Sequence, residues 1–348
     1  MAKRKTHKGL IAVLTVLLIA ILGVLGYLVY TAATNDINGV KQETKEYTLI
    51  IGSQNYEEVV GADLADNGIV LSDVLWTNWM ANHYPDFEYV RGEYTLTADM
   101  SYEAIAEKLQ DPDISHEVVK VVIPEGFNCM DIAARLEENG ICSAQDFLAA
   151  CETTEGYDYN FIKEIPDNAL VPYKLEGFLF PATYDFAMNS DAHKIADIML
   201  GAFADRRTEA MDQFCEAHDM TLYELITLAS VVQEEALTNE SAQNIASVFM
   251  NRLNSGMQLQ SDVTIFYARA LRDTAGISQE AYDAYNTYEC KALPAGPITN
   301  SGEAVIDAVL HYPETNYIFF FSDLQQEFHF AETYQEFEQL KEQYPWKE

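Results

Sequence analysis

The first thirty residues constrain the architecture of this chain more than any other feature. Residues 10–30 form an apolar run without a single charge. At ~1.5 Å per residue, a helix over this run is long enough to cross the ~30 Å hydrocarbon core of a bilayer. A cleaved signal peptide is the alternative, because the small residues Thr31, Ala32 and Ala33 follow, but the apolar part of a signal is only about 7–15 residues long. We therefore expect an uncleaved transmembrane helix.

Four basic residues ahead of the run predict its orientation: Lys3, Arg4, Lys5 and Lys8. Positive charge stays on the cytoplasmic side of a membrane. Residues 1–9 are therefore predicted to be a cytoplasmic tail, and everything after Tyr30 is predicted to lie outside the cytoplasm. The stretch 31–46 is mostly polar, contains Gly39 and is predicted to be a linker.

The charge balance excludes one class of partner. The formal net charge is -34 at pH 7, with 55 acidic residues against 21 basic ones. Nucleic-acid binding needs clustered Lys and Arg to neutralise phosphates, so no nucleic-acid partner is expected. A partner without positive charge would have to be held by hydrogen bonds and aromatic stacking. The 21 Tyr, 17 Phe and 3 Trp provide the means, although most of them are expected in the core.

The cysteines lie far apart without a CxxC pair, at positions Cys129, Cys142, Cys151, Cys215 and Cys290. Neither a disulfide framework nor a zinc site is indicated. The chain also lacks HExxH, a Walker loop, GxSxG and a GxGxxG after a predicted strand. Metal, nucleotide, dinucleotide and serine-hydrolase chemistry therefore have no support, and we expect no cofactor.

A weak internal repeat organises the region after the linker. Six residues recur at one constant offset, Ile51, Val60, Leu64, Asn67, Gly68 and Ile69 matching Ile123, Ile132, Leu136, Asn139, Gly140 and Ile141. Between the two copies, residues 94–109 have the same order of strand, turn and helix. A strand followed by a helix that ends in Asn-Gly is a compact βα unit, because Gly supplies the left-handed helix stop. We predict small α/β modules over 47–150.

Residues 151–348 are predicted to form a larger α+β domain. Helical periodicity covers three segments, 192–218, 222–236 and 241–254, and Gly256 stops the last of them. Strands are predicted at 317–322 and around 328–330, followed by a closing helix at 334–343.

The segment 225–236 (LITLASVVQEEA) brings a carboxylate against hydrocarbon. At 100° per residue, apolar side chains cover more than half of the helix circumference, namely Leu225, Ile226, Leu228, Ala229, Val231 and Val232. Glu235 projects into this apolar arc, whereas Glu234 points to the opposite face and Gln233 lies at the far edge. Apolar surroundings raise the pKa of a carboxyl, so that it can donate a proton near neutral pH. Glu235 is the candidate general acid; a solvated or paired side chain is the alternative.

Two segments downstream are rich in polar and aromatic residues where a fold needs none: 244–262 (NIASVFMNRLNSGMQLQSD) and 285–304 (YNTYECKALPAGPITNSGEA). Together with the ASVVQEE helix and a late His-Phe pair, they resemble the YceG-like family of endolytic murein transglycosylases, in the family's order. The resemblance extends over the whole chain, through LEGFLFPATYDF (175–186) and the N-terminal anchor.

Three positions depart from the family pattern. The family's E-x-E is Gln233, Glu234 and Glu235 here, so only its second glutamate remains. The resemblance implies that this second position is catalytic, which agrees with the helical-face argument. Val263 replaces a proline, and Phe337 replaces a late histidine.

The resemblance implies a LysM-like character for the modules over 47–150, a type that binds N-acetylglucosamine polymers. Packing units or spacers without glycan binding are the alternative. It also implies that 151–348 is the catalytic domain.

The implied reaction needs one carboxylate. Glu235 would protonate the oxygen between N-acetylmuramic acid and N-acetylglucosamine, then accept the proton of the muramyl C6 hydroxyl as a 1,6-anhydro ring closes. Ordinary glycoside hydrolysis needs two carboxylates. Asp262 is the other acid within a strong motif, and a capping or loop-stabilising role is its alternative.

Supporting residues are expected to line a saccharide groove, with substrate-binding candidates at Asn251, Arg252, Gln260, Ser261, Asp262, Tyr285, Asn286, Thr287 and Tyr288. For Arg252, pairing with an acid is the alternative. Glu176 is either a second groove carboxylate or a buried structural residue, and we favour the structural role.

Taken together, the sequence predicts a single-pass protein of the cell membrane that cleaves nascent peptidoglycan strands, a lyase whose catalytic domain is extracytoplasmic. Peptidoglycan synthases (penicillin-binding proteins) are candidate partners. A catalytically silent glycan-binding scaffold is the alternative, because Gln233 departs from the family. A muramidase in which Asp262 positions water is a third hypothesis.

Overall fold

The computed structural model describes residues 3–40, 45–51, 59–90, 92–113, 118–290 and 292–346. It begins with a long helix, α1 (Lys3–Ile37). Within α1, residues 14–37 are long and apolar enough to cross a membrane. Every side chain from Leu14 to Tyr30 is exposed, as a lipid-facing segment requires.

The first part of the predicted linker, 31–46, is wrong, because α1 continues through it as far as Ile37. Asp36 is buried, and it accepts hydrogen bonds from the Leu71 N–H at 2.7 Å and from the Tyr102 hydroxyl. Ile37 packs against the apolar core that follows. The end of α1 is therefore part of the first folded unit. Residues 41–44 of the linker lie outside the described residues.

The chain divides into two compact units: Met1–Lys120 with Asp185–Met188, and Val121–Tyr184 with Asn189–Glu348. The predicted boundary at 150/151 is therefore wrong. Residues 121–150 belong to the larger unit because the helices that they form pack on each other and on a later helix of that unit.

The first unit is built on an antiparallel pair, β1 (Glu46–Ile51) and β2 (Gly92–Thr97), in which Leu49 lies opposite Tyr94. Its helices after α1 are α2 (Val59–Asp66), α3 (Asp73–His83) and α4 (Tyr102–Lys108). Trp76, Tyr94 and Tyr102 are fully buried in its core.

The predicted repeat of strand and helix is confirmed. β1 and α2 are followed later by β3 (Val118–Val122) and α5 (Cys129–Glu138). After each helix the glycine of the Asn-Gly pair has a positive φ, +71° at Gly68 and +69° at Gly140. A residue with a Cβ is strained in this conformation, which explains the recurring glycine. A LysM-like character of these modules stays a prediction.

The larger unit is mainly helical. After α5 its helices are α6 (Ala144–Cys151), α7 (Ala192–Ala204), α8 (Glu209–His218), α9 (Leu222–Glu235), α10 (Asn239–Asn254), α11 (Asp262–Ala275), α12 (Gln279–Tyr285), α13 (Glu303–Leu310) and α14 (Tyr334–Gln343). A short 3-10 helix covers Asn160–Glu164. The later strands are β4 (Thr183–Ala187), which pairs with β3, and the antiparallel β5 (Phe319–Ser322) and β6 (Phe328–Ala331).

These elements confirm the α+β class and most of the predicted helices. The predicted helix over 192–218 is instead two helices, because α7 ends at Ala204 and Thr208 begins α8. Helices α11, α12 and α13 were not predicted.

Helix α9 is the central element of the larger unit. Its residues from Leu222 to Val232 are buried, apart from Glu224, and it contacts α8, α10, α11 and α13. A helix enclosed in this way holds its C-terminal residues in a fixed position. Those residues are Gln233, Glu234 and Glu235.

Candidate functional site

Helix α9 presents Glu235 at its C-terminal end. A capping box of Thr221 and Glu224 fixes the start of the helix, and Ala236 adopts an extended conformation that ends it. The negative end of the helix dipole lies at the last turn, where it disfavours a negative charge. Glu235 therefore occupies a place where the protonated carboxyl is relatively favoured.

The carboxyl group of Glu235 contacts the start of α11. The Ser261 hydroxyl donates a hydrogen bond to Glu235 Oε1 at 2.6 Å. Ser261 is the N-cap residue of α11, but its side chain makes no capping bond. An N-cap serine usually accepts a bond from the first turn of its helix. Here the serine side chain is directed to the glutamate instead.

Burial raises the pKa of the Glu235 carboxyl above its ordinary range. The bond from Ser261 lowers this pKa, the negative charge of Asp262 raises it, and the positive charge of Arg252 lowers it. Since burial is the largest effect, the protonated form is favoured relative to a solvated glutamate. The group can therefore serve as a proton donor.

Glu234 lies on a different side of the helix. Its side chain is exposed, and its Oε1 lies 3.2 Å from where a Cβ on Gly126 would stand. The protein around it raises its pKa as well, through partial burial. The contact with Ser261, rather than the direction of the pKa change, distinguishes the two glutamates. The predicted exposure of Glu234 is confirmed.

Asp262 and Tyr288 form an exposed pair next to Ser261. The Tyr288 hydroxyl donates to Asp262 Oδ1 at 2.9 Å, and 41% of Tyr288 is exposed. Partial burial and the bond to Asp262 raise the pKa of Tyr288 to about 12, so the phenol stays neutral. An exposed aromatic ring beside a carboxylate offers both a stacking face and a hydrogen-bond acceptor.

Thr287 and Tyr285 do not line a groove, and the prediction that they do so is wrong. Both side chains are fully buried. Tyr285 packs edge-on against Tyr267 with ring centroids 5.3 Å apart. Thr287 Oγ1 accepts the Ser261 N–H at 2.9 Å, so it contacts the backbone behind the site. Within this short motif, Tyr285 and Thr287 are buried, whereas Tyr288 is exposed.

Asn251 and Arg252 both make structural contacts, and a contact with substrate stays a prediction. The Asn251 amide donates to the carbonyls of Thr315 and Tyr317, each at 2.9 Å. Arg252 is buried and donates to the carbonyls of Ile318 at 2.7 Å and Leu259 at 2.6 Å. The two side chains join α10 to the chain before β5 and α11. The positive charge of Arg252 lowers the pKa of Glu235.

Gln260 and Asn286 remain near the surface. Gln260 is exposed, with a φ of +51°, and its N–H donates to the Thr287 carbonyl at 3.1 Å. A positive φ in a residue other than glycine is uncommon and is concentrated at functional sites. Asn286 is half-buried, and its Oδ1 accepts the Tyr288 N–H at 3.1 Å, which fixes the turn before Tyr288.

The site contains ionisable and hydroxyl groups but no arrangement suited to a metal. Among the residues that the structure describes, no cluster of three or more His, Cys, Asp and Glu is placed to hold one. All five cysteines fall within the described ranges, and each is a free thiol.

Comparison with known proteins shows the family of this chain. Residues 50–343 match the YceG-like family. The chain belongs to the YceG-like family. The endolytic murein transglycosylase of Bacillus subtilis (strain 168) is 31% identical over 264 residues, which cover 73% of this chain and 72% of that protein.

Two further YceG-like relatives extend the comparison. The endolytic murein transglycosylase of Streptococcus pneumoniae (strain D39) is 26% identical over 318 residues, 82% of this chain. The match covers only 56% of the pneumococcal protein. A YceG-like protein of Listeria monocytogenes, known from a 2.6 Å crystal structure, has a TM-score of 0.54 and 26% identity, covering 86% of this chain and 100% of that chain.

Gln233, which departs from the family pattern, makes a structural contact in this chain. Gln233 Oε1 accepts the N–H of Gly302 at 3.0 Å, and Gly302 is the N-cap residue of α13. Gly302 has no side chain with which to cap the helix, so Gln233 contributes to the start of α13 from outside. A glutamate could accept the same bond. Gln233 therefore has a structural contact of its own, different from that of Glu235.

A buried network around Glu176 was only half anticipated from the sequence. Glu176 is fully buried and accepts bonds from the Cys129 N–H at 2.9 Å, the Tyr267 hydroxyl at 2.9 Å and the Asn300 amide at 2.9 Å. Burial raises its pKa to about 7. Glu176 therefore joins α5, α11 and the loop before α13, which agrees with the structural role that we favoured. In the sequence, the acidic residue in the apolar LEGF motif indicated a buried carboxyl. Nothing in the sequence identified the residues that bond it.

Proposed function

We propose that this protein is an endolytic murein transglycosylase in which Glu235 is the catalytic acid and base. The observation that carries the proposal is the 2.6 Å contact between the Ser261 hydroxyl and the enclosed Glu235 carboxyl at the end of α9. Membership of the YceG-like family supports it, because curated relatives bear this name.

The reaction proceeds in two proton transfers. Protonated Glu235 donates its proton to the glycosidic oxygen between N-acetylmuramic acid and N-acetylglucosamine as the bond to C1 breaks. The carboxylate then accepts the proton of the muramyl C6 hydroxyl, while that oxygen bonds to C1. The products are a free hydroxyl on one strand and a 1,6-anhydro end on the other. Water is not consumed, and Glu235 returns to its starting state.

Ser261 suits both steps. Its hydroxyl stabilises the carboxylate that forms after the first transfer, and it holds the group in one orientation between the steps. Substrate is held by the exposed groups beside it, namely Gln260, Asp262 and Tyr288. Hydrogen bonds and aromatic stacking suit a neutral sugar backbone, whereas electrostatic attraction does not suit this anionic chain.

We further propose that α1 anchors the protein in the cell membrane, with its N-terminus in the cytoplasm and the larger unit outside. The length and composition of α1 and the basic residues before it support this topology. A site held near the bilayer meets strands as they are made, so peptidoglycan synthases are candidate partners. N-terminal sequencing of native material tests the anchor, since a mature form that begins near Thr34 would show a cleaved signal.

Digestion of purified sacculi by the full-length protein tests the proposed activity. Internal cleavage is expected, with strands of several disaccharides as early products. Release of anhydro-disaccharides from strand ends as the main early product would contradict endolytic action. No cleavage at all would favour the silent scaffold. New reducing ends would favour a muramidase, for which the nearby Asp262 could position water.

A further inference from the structure

Two buried threonines hold the backbone of Ser261 in place. The Ser261 N–H donates to Thr287 Oγ1 at 2.9 Å, and the Ser261 carbonyl accepts from Thr264 Oγ1 at 2.8 Å and from Thr287 Oγ1 at 3.1 Å. The two hydroxyl oxygens are 3.0 Å apart. Both threonines are fully buried. Both backbone polar groups of Ser261 are therefore bonded without using its side chain.

We propose that Thr264 and Thr287 are positioning residues, which keep the Ser261 hydroxyl directed at Glu235 and away from its own helix. This inference rests on the proposed function, because it assigns the support of the catalytic glutamate. Both threonines are buried, and their hydroxyl groups bond the backbone of Ser261. They act through the backbone that carries Ser261.

The competing arrangement shows why such support is needed. At the start of α11, the Ser261 hydroxyl would ordinarily accept a bond from the first turn, an interaction that stabilises other helices. In this chain the hydroxyl does not do so, although Ser261 is the N-cap. A backbone that is hydrogen-bonded at both its N–H and its carbonyl has little freedom to move into the capping geometry. The serine is thus available to the glutamate.

The neighbouring backbone supports the same conclusion. Gln260 has a φ of +51°, and its N–H donates to the Thr287 carbonyl at 3.1 Å. Thr287 therefore binds two successive residues of the turn before α11. A strained residue persists only where its surroundings keep it in place. Here the Thr287 carbonyl bonds Gln260, and the Thr287 hydroxyl bonds the next residue, Ser261.

Carbon-13 NMR titration of the Glu235 carboxyl in the full-length protein, without substrate, tests the proposal. The Glu235 signal is identified by its absence in Glu235→Gln. The bond from Ser261 favours the carboxylate, so Ser261→Ala is expected to move the titration midpoint to higher pH. Thr287→Val is expected to move it in the same direction. Thr287→Ser keeps a hydroxyl and should restore the wild-type midpoint.

The matched control is Thr227→Val. Thr227 is also a buried threonine of the larger unit, and its hydroxyl donates to the Tyr223 carbonyl at 2.7 Å on α9 itself. Its loss is expected to lower stability without moving the Glu235 midpoint. The double variant Ser261→Ala/Thr287→Val should show no more displacement than Ser261→Ala alone, because the threonine acts through the serine.

Kinetics on sacculi provide the second measurement. Thr287→Val is expected to lower kcat by about tenfold with KM little changed, since the substrate does not contact Thr287. An unmoved midpoint in Thr287→Val, or an equal movement in Thr227→Val, would overturn the positioning role. If the variants show the expected midpoints but the wild-type protein never cleaves sacculi, the proposed function is overturned instead, so the two failures are distinguishable.

Discussion

The hydroxyl of Ser261 lies 2.6 Å from Oε1 of Glu235, although the two residues are 26 positions apart and belong to different helices. Glu235 ends α9 and Ser261 begins α11, so the contact joins the C-terminus of one helix to the N-terminus of another. The first terminus favours the protonated carboxyl, and the second favours the carboxylate. A group that must donate a proton and then take one back benefits from both.

Glu235→Gln is expected to abolish cleavage, because the amide is nearly isosteric but cannot donate and reclaim a proton. Glu234→Gln is the matched control and should be nearly silent, since Glu234 is exposed and does not bond Ser261. Cleavage of sacculi and circular dichroism measure the two effects. Activity that survives in Glu235→Gln and disappears in Glu234→Gln would show that the assignment is reversed.

Gln233→Glu is expected to change kcat by less than about threefold, because a carboxylate oxygen can accept the Gly302 N–H as the amide oxygen does. Gln233→Ala removes the acceptor and should lower the free energy of unfolding by about 1–3 kcal/mol. Denaturant unfolding and sacculus digestion of both variants provide the comparison. A gain of tenfold or more in Gln233→Glu, on the order expected for a general acid or base, would mean that the family's first glutamate has a direct catalytic role.

Glu176 predicts a pH dependence of stability. Burial raises its pKa from the ordinary 4.5 to about 7 in the folded protein, so the folded state binds the proton more tightly than the unfolded state. The contribution of Glu176 to stability is therefore fully present below pH 4.5 and is lost as the pH rises to about 7, by about 3 kcal/mol in total.

Glu176→Gln should remove this dependence, since its amide can donate to the Tyr267 oxygen and accept from the Asn300 amide in the same places. Denaturant unfolding between pH 4.5 and 7 is the measurement. An identical pH slope in Glu176→Gln and the wild type would assign the effect to other groups.

The two hydrogen bonds of the buried Asp36 predict that the end of α1 is held rigidly in the first unit. Asp36→Ala leaves the Leu71 N–H and the buried Tyr102 hydroxyl without this acceptor and should lower the stability of that unit by about 1–3 kcal/mol. Hydrogen exchange in detergent should report faster exchange in the last turn of α1. Tyr47→Phe, which removes a similar Tyr-Asp bond to Asp63 away from α1, is the control. Equally fast exchange of the last turn of α1 in both variants would contradict a specific role of Asp36 in holding that turn.

The position of Glu235 at the end of a helix could be predicted from the sequence, because the apolar periodicity of residues 225–232 defines that helix. The roles of Tyr285 and Thr287 could not, because a short polar motif does not reveal which of its side chains face the core. Asp36 was assigned to a linker for a related reason. Its partners, Leu71 and Tyr102, are distant in sequence, and only the folded unit brings them to it.

The central claim is that Glu235 carries out a cleavage that consumes no water, and digestion of sacculi in ¹⁸O-labelled water tests it most directly. Mass spectrometry of the products is expected to show 1,6-anhydro-N-acetylmuramic ends, lighter than reducing ends by one water and free of ¹⁸O, with none formed by Glu235→Gln. New reducing ends that carry ¹⁸O would contradict the account and identify a hydrolase.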